Sequence, residues 1–371
     1  DVLREARDNV PFAEADHFVS LAHPDTTEPP ELDIWDDAVA ATAIDDKVAM
    51  AIELERMVRS ADPRITGVRT ATYGDRSGVS VIASTAGMRS STASTNASMG
   101  VLALASDGET TQTGSGSTFA RGPGGLSVTE AADEAVDRAT ALLGATQPSS
   151  QRVTLVLEPR MAASLLAIIG GMFSGERVLK GRTPFADRVG ETIAAPGLSM
   201  IDDPTDSASF GARPHDGEGL AARVNSLIDD GVLQGFLHNT VSGARARASS
   251  TASAVRGVRS TPGVGWHALA ITGGTGDLAA LVADTDAGLL VRSMTGLHSG
   301  VNAVSGDFSV GAEGLLIRNG ELAEPVREVT IASTLPRLLL DIAHIGDDIE
   351  HLPGGVSCPS MAIANVAMGG R

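Results

Sequence analysis

The dipeptide Asn319–Gly320 in "EGLLIRNGELAEPVREVTIAS" limits the fold more than any other short stretch. Asn-Gly between two runs of strand-forming residues suits a two-residue hairpin turn, whose central residues both take a positive φ. "LAARVNSLIDDGVLQGFLHNT" repeats the arrangement around Asp229, Asp230 and Gly231. Two such hairpins commit the second half of the chain to antiparallel sheet. "RVTLVLEP" adds a strand, and short helices are expected at "GDLAALVAD" and "LPRLLLDIAHI".

The first half reads differently. Ile44, Val48, Ala51, Leu54 and Val58 recur at helical spacing, with Asp45 and Asp46 at the positive end of the dipole and Arg59 near the negative end. That amphipathic helix should stop before Pro63. "SGVSVIAST" and "MGVLALAS" read as strands joined by the polar "STAGMRSSTASTNAS", and "GETTQTGSGSTFARGPGG" reads as a glycine-rich loop. It lacks the Gly-Lys-Ser/Thr of a phosphate-binding loop. Ser127 and Glu130 form a capping-box pattern that starts a helix over 128–143, ending at Gly144. "ATQPSSQ" then marks a boundary. The expected fold class is α+β: an N-terminal α/β domain over 1–148, incomplete at its start, and a C-terminal domain over 149–371 that is mainly antiparallel β, a curved sheet or partial barrel with short helices.

Charge and composition exclude some functions. A formal net charge of −18 disfavours phosphate-backbone binding, and eleven aromatic residues leave little to stack bases on. No apolar run is long enough to span a bilayer and no signal segment opens the chain, so a cytoplasmic location is expected. Cys358, the single cysteine, cannot form an internal disulfide or a thiolate-rich zinc site. No G-x-S-x-G elbow follows a strand, which leaves a serine nucleophile without support.

The stretch "AASLLAIIGGMFSGERVLKGRTPF" is a helix of Ala, Leu and Ile followed at once by two glycines and a basic loop. Taken with "GETIAAPGLSMIDDP", "DGEGLAARVNSLIDDGVLQGFLHNTVSGAR", "GVNAVSGDFSVGAEGLLIRNGELAEPVREVTIA" and "HIGDDIE", it resembles the TldD/PmbA family, once described as modulators of DNA gyrase. The resemblance implies a heterodimeric zinc metalloprotease acting on unfolded peptides. In the catalytic TldD-like homologue an HExxxH helix and a distant cysteine hold the zinc. Three protein ligands leave one position for a water whose pKa the metal lowers. Aligned back from "GRTPF", Leu166 stands at the first His, Ala167 at the Glu and Gly171 at the second His, while Cys358 falls at the expected cysteine. These are the degenerate motif positions of a TldE/PmbA-type subunit, with no catalytic residue and no cofactor of its own and zinc expected in the partner subunit. Gly170 and Gly171 are expected to hold the helix end close to its neighbours.

Two other readings compete with it: an independent peptidase with a rearranged site, and a regulatory interaction protein. The cluster His344, Asp347, Asp348, Glu350 and His351 beside Cys358 is either a metal site or an acidic turn. Arg245, Arg247, Arg256 and Arg259 fall in a segment (243–265) that reads as a mobile surface loop or as a cover over a substrate passage, with Trp266 as its anchor. A homodimer is expected where the partner is absent.

Overall fold

The computed structural model describes residues 2–12 and 14–371. Its first layered unit packs two helices on a three-stranded antiparallel sheet. Helix α1 (Ile44–Ala61) and strands β1 (Ile65–Ala83), β2 (Arg89–Ser106) and β3 (Thr111–Ala120) precede helix α2 (Val128–Thr140), in the spatial order β1-β2-β3. Leu54 and Val58 of α1 are buried, as their spacing predicts, against Met99, Val101 and Ala103 of β2 and Ala131 and Ala135 of α2. Ser127 caps α2 by accepting the Glu130 N–H at 3.2 Å. The helix is shorter than the sequence pattern suggests and gives way to a turn that ends at Gly144.

Two segments read as loops are strands. The Ser/Thr-rich stretch forms the turn at 84–88 and then lies within β2, paired residue by residue with β1 from Ala83↔Arg89 to Ser77↔Thr95. The glycine-rich stretch is β3, paired with β2 from Ser106↔Thr111 to Ala97↔Ala120. The glycines answer to packing rather than to turning. A Cβ on Gly114 would lie 2.2 Å from the Ala139 nitrogen, and one on Gly116 would lie 2.0 Å from the Ala131 carbonyl oxygen. Strand and helix backbones touch there, which only glycine permits.

The second unit begins with β4 (Gln151–Leu157) and α3 (Pro159–Gly171). A small sheet contains β5 (Met200–Asp202), β6 (Asn225–Asp229), β7 (Val232–Leu233) and β8 (Leu269–Ile271). Helix α4 (Leu278–Ala283) leads to β9 (Ala287–Thr295), β10 (Asp307–Arg318) and β11 (Glu321–Thr334). Helix α5 (Leu335–Leu340), β12 (Ile342–Ile345), β13 (Glu350–His351), β14 (Val356–Cys358) and β15 (Met361–Gly369) complete it. Strands β13 and β14 extend the small sheet beside β8.

The larger sheet closes on itself. The order β11-β10-β9-β4-β15 returns to β11 through Thr330↔Gly369, Ile331↔Met368 and Ala332↔Ala367, making a five-stranded barrel where a curved sheet or partial barrel was expected. All its pairings are antiparallel except β4 with β9. Both hairpins have the turn their sequences dictate: Asn319 and Gly320 take φ of 51° and 79°, and Asp230 and Gly231 take 45° and 79°.

Replacing Gly116 with alanine should cost about 2–3 kcal/mol through overpacking against α2. Gly124, beside which an added Cβ meets nothing, should tolerate alanine within about 0.5 kcal/mol. Urea denaturation midpoints of the two variants measure the difference.

Candidate functional site

Helix α3 carries the residues the sequence singles out. Leu166 is 1% exposed in the main core with Leu155, Leu157 and Phe173, and the half-buried Ala167 packs against that core. Gly170 meets its neighbours closely: a Cβ there would lie 2.7 Å from Leu269 and 3.0 Å from the Trp266 indole. Trp266 therefore abuts the end of α3. A Cβ on Gly171 would meet nothing within 4 Å, so close packing explains the first glycine and not the second. The basic stretch after them is partly helical, over Gly175–Leu179, and Phe185 stacks on Phe173 with centroids 5.2 Å apart.

Cys358 lies at the other end of the helix. Its thiol donates to the Pro159 carbonyl at 3.3 Å, at the first turn of α3. At 1.5 Å rise per residue, Leu166 and Gly171 follow about 10 and about 18 Å further along the axis. The four motif positions therefore do not converge on one point. Burial pushes the Cys358 thiol up to about 12, with Glu350 and Asp348 adding to the shift, so without a metal beside it the sulfur stays protonated at neutral pH.

Three members of the cluster beside it, Asp348, His344 and His351, make structural contacts. Asp348 accepts the Ser360 N–H at 2.9 Å, the Ser360 hydroxyl at 2.7 Å and the Leu278 N–H at 3.1 Å. His344 Nε2 lies 2.8 Å from the Thr275 carbonyl oxygen, and His351 Nδ1 lies 2.8 Å from the Ser357 hydroxyl. Among the described residues no group of three or more His, Cys, Asp or Glu side chains is placed to hold a metal ion.

The densest charge cluster is elsewhere. Glu158, the N-cap residue of α3, has an extended backbone but does not cap the helix with its side chain. Its carboxylate instead accepts from Arg138 of α2 and from Arg292 of β9, the latter at 3.1 Å. Arg292 also reaches Asp137 at 2.9 Å, and Arg160 reaches Glu134 at 3.1 Å and the Ser117 hydroxyl at 2.9 Å. Burial pushes the Glu158 carboxyl up, and the guanidiniums of Arg138 and Arg292 offset only part of that rise. The network joins the two units across a cleft of about 570 Å³ that Glu130, Glu350 and His351 also line. No local pattern announces it, because the partners of Glu158 lie 20 and 134 residues away in sequence.

The arginine-rich segment is ordered rather than a plain loop. Residues Thr240–Ala246 form a helix with Asn239 and Ser242 as a capping box, Arg247 ends it at φ 56°, and Ala254–Val255 pairs with Gly263–Val264. Arg245 pairs with Asp16 and lies 5.9 Å from the centre of the Phe18 ring. Arg256 is exposed, as is Arg259.

At pH 8 the folded protein should leave Cys358 unreacted with iodoacetamide, whereas the urea-unfolded chain should be fully alkylated; intact mass reads both. Glu158→Gln leaves two guanidiniums without their buried carboxylate and should lower unfolding free energy by about 3 kcal/mol, measured by urea denaturation.

Two family models match: the PmbA/TldA metallopeptidase central domain over residues 38–143 and the C-terminal domain over 150–370. Metalloprotease PmbA of Escherichia coli O157:H7 is 25% identical over 343 residues, 92% of this chain and 73% of that protein. A metalloprotease of Methanothermobacter thermautotrophicus is 27% identical over 320 residues, 81% of this chain and 69% of that one. Among solved structures, TldE from Thermococcus kodakarensis superposes with a TM-score of 0.90 at 24% identity, covering 99% of this chain and 84% of its own. A candidate modulator of DNA gyrase from Bacteroides thetaiotaomicron gives 0.89 at 25% identity, covering 100% and 82%. These likenesses show that the fold is shared. Because the C-terminal model alone spans more than half of the sequence, the chain belongs to the PmbA/TldD metallopeptidase family.

Proposed function

We propose that this chain is a TldE/PmbA-type subunit without chemistry of its own, which pairs with a zinc-bearing TldD-like homologue to enclose a chamber for unfolded peptide. The observation that carries this reading is helix α3. A zinc site with three protein ligands needs imidazole, thiolate or carboxylate donors within about 2.0–2.3 Å of one point. Leu166 is committed to the core, Ala167 and Gly171 carry no donor, and Cys358 is buried against the Pro159 carbonyl at the far end of the helix. The donor set does not fit zinc.

What remains for the subunit is to shape, bind and exclude. Closing the barrel leaves β4, β9 and β10 paired on both sides, so they offer no free edge to an extended peptide. Backbone pairing of the substrate falls instead to exposed edges such as β1, at the border of the three-stranded sheet. Among the described residues no helix is long and apolar enough to cross a membrane. A cytoplasmic setting suits the lone reduced cysteine. Without its partner the subunit would form homodimers through the same interface geometry.

Co-expression with a TldD-like homologue, followed by sizing, zinc analysis and assay on an unfolded peptide, tests the reading. The expected result is a one-to-one complex with one zinc per pair, and cleavage that is absent from this chain alone. One tightly held zinc per isolated chain, with cleavage by it, would overturn the proposal.

A further inference from the structure

Between the β1–β2 hairpin and the second unit lies a polar pocket of about 320 Å³. One wall is the alternate face of β2, where Ser90, Thr92 and Ser94 are half-buried while Ser91 and Ala93 face solvent. The opposite wall carries Arg121, Arg213 and Arg256 with His215. Among the described residues none of the three arginines takes part in an ion pair, although the chain has a formal charge of −18. Arg213 spends its Nε on the Gly211 carbonyl at 3.1 Å, and Arg121 reaches the Ser207 and Ser209 carbonyls and sits 5.3 Å from the centre of the Phe210 ring.

The carboxylates near this wall do not neutralise it by contact. Asp33 acts on Arg121, and Asp202 and Asp216 act on Arg213, all from beyond ion-pair distance. Asp216, which lines the pocket, accepts from the backbone N–H groups of Glu218, Leu220 and Ala254 at 2.9, 3.0 and 3.0 Å. His215 Nδ1 is buried without a hydrogen-bond partner. The Arg213 guanidinium, largely drawn out of water, and the half-withdrawn Arg121 guanidinium have no bonded carboxylate and are stabilised when an anion enters.

We propose that this pocket binds a phosphate group, as inorganic phosphate or as a phosphomonoester. The number of donors decides between anions. Three guanidiniums on one wall and a row of hydroxyls on the other offer more hydrogen bonds, from more directions, than the two oxygens of a carboxylate accept, and they suit a tetrahedral oxyanion. The site is distinct from α3 and independent of the peptidase reading.

Isothermal titration of the full chain with inorganic phosphate, with phosphoserine and with a phosphoserine peptide tests the proposal against sodium chloride at matched ionic strength. Saturable one-to-one binding of at least one of the three is expected, and the tightest identifies the source. Arg256→Gln, at the exposed rim, and Thr92→Val, on the hydroxyl face, should each weaken binding about tenfold while leaving the melting temperature without phosphate unchanged. Arg213→Gln should abolish it. Phosphate that binds no better than chloride, or that binds equally to the wild type and the Arg256→Gln and Thr92→Val variants, overturns the proposal.

Discussion

The Glu158 carboxylate, held between the guanidiniums of Arg138 and Arg292, is the interaction on which the arrangement of the two units depends. Arg138 comes from the helix that covers the three-stranded sheet, Arg292 from a barrel strand, and Glu158 from the junction between β4 and α3. The side chains of all three are mostly withdrawn from water, so each charge needs the others. Arg160 and Glu134 widen the connection by tying the first turn of α3 to α2 and β3. The start of α3 is thereby fixed relative to both units, while its far end is fixed by Trp266 and Leu269 against Gly170.

That double anchoring holds the helix in place from both ends. Its place is set by charges at its first turn and by apolar packing at its far end, neither of which requires a metal. Leu166 adds apolar contact in the middle, where burying a leucine side chain contributes about 2 kcal/mol or more. A helix held in this way keeps the surrounding core in shape.

Much of the architecture is legible in the residues. Asn319–Gly320 and Asp230–Gly231 name their turns, Ser127 names its helix, and Leu54 and Val58 name their buried face. The misread segments share a cause. Serine and glycine in residues 89–98 and 111–120 have weak strand signals of their own, and become strands because a long neighbour pairs with them and a helix backbone lies against Gly114 and Gly116. Leu166, Ala167 and Gly171 were recognisable only through a family resemblance. The Glu158 network had no signal at all, since its members meet only after both units have folded.

The closed barrel has a further consequence. Strand β15 pairs with β4 along one side, while its other side is shared between β12, through Ile363 to Met361, and β11, through Ala367 to Gly369. It is the stave that shuts the ring, inserted between β11 and β4, the second of which lies far earlier in the chain. Residues 361–369 must therefore be made before β4, some two hundred residues earlier in the chain, can gain its second neighbour opposite β9. Until then β4 and β11 are open, apolar edges, and protection of this unit during synthesis falls to whatever binds such edges in the cell.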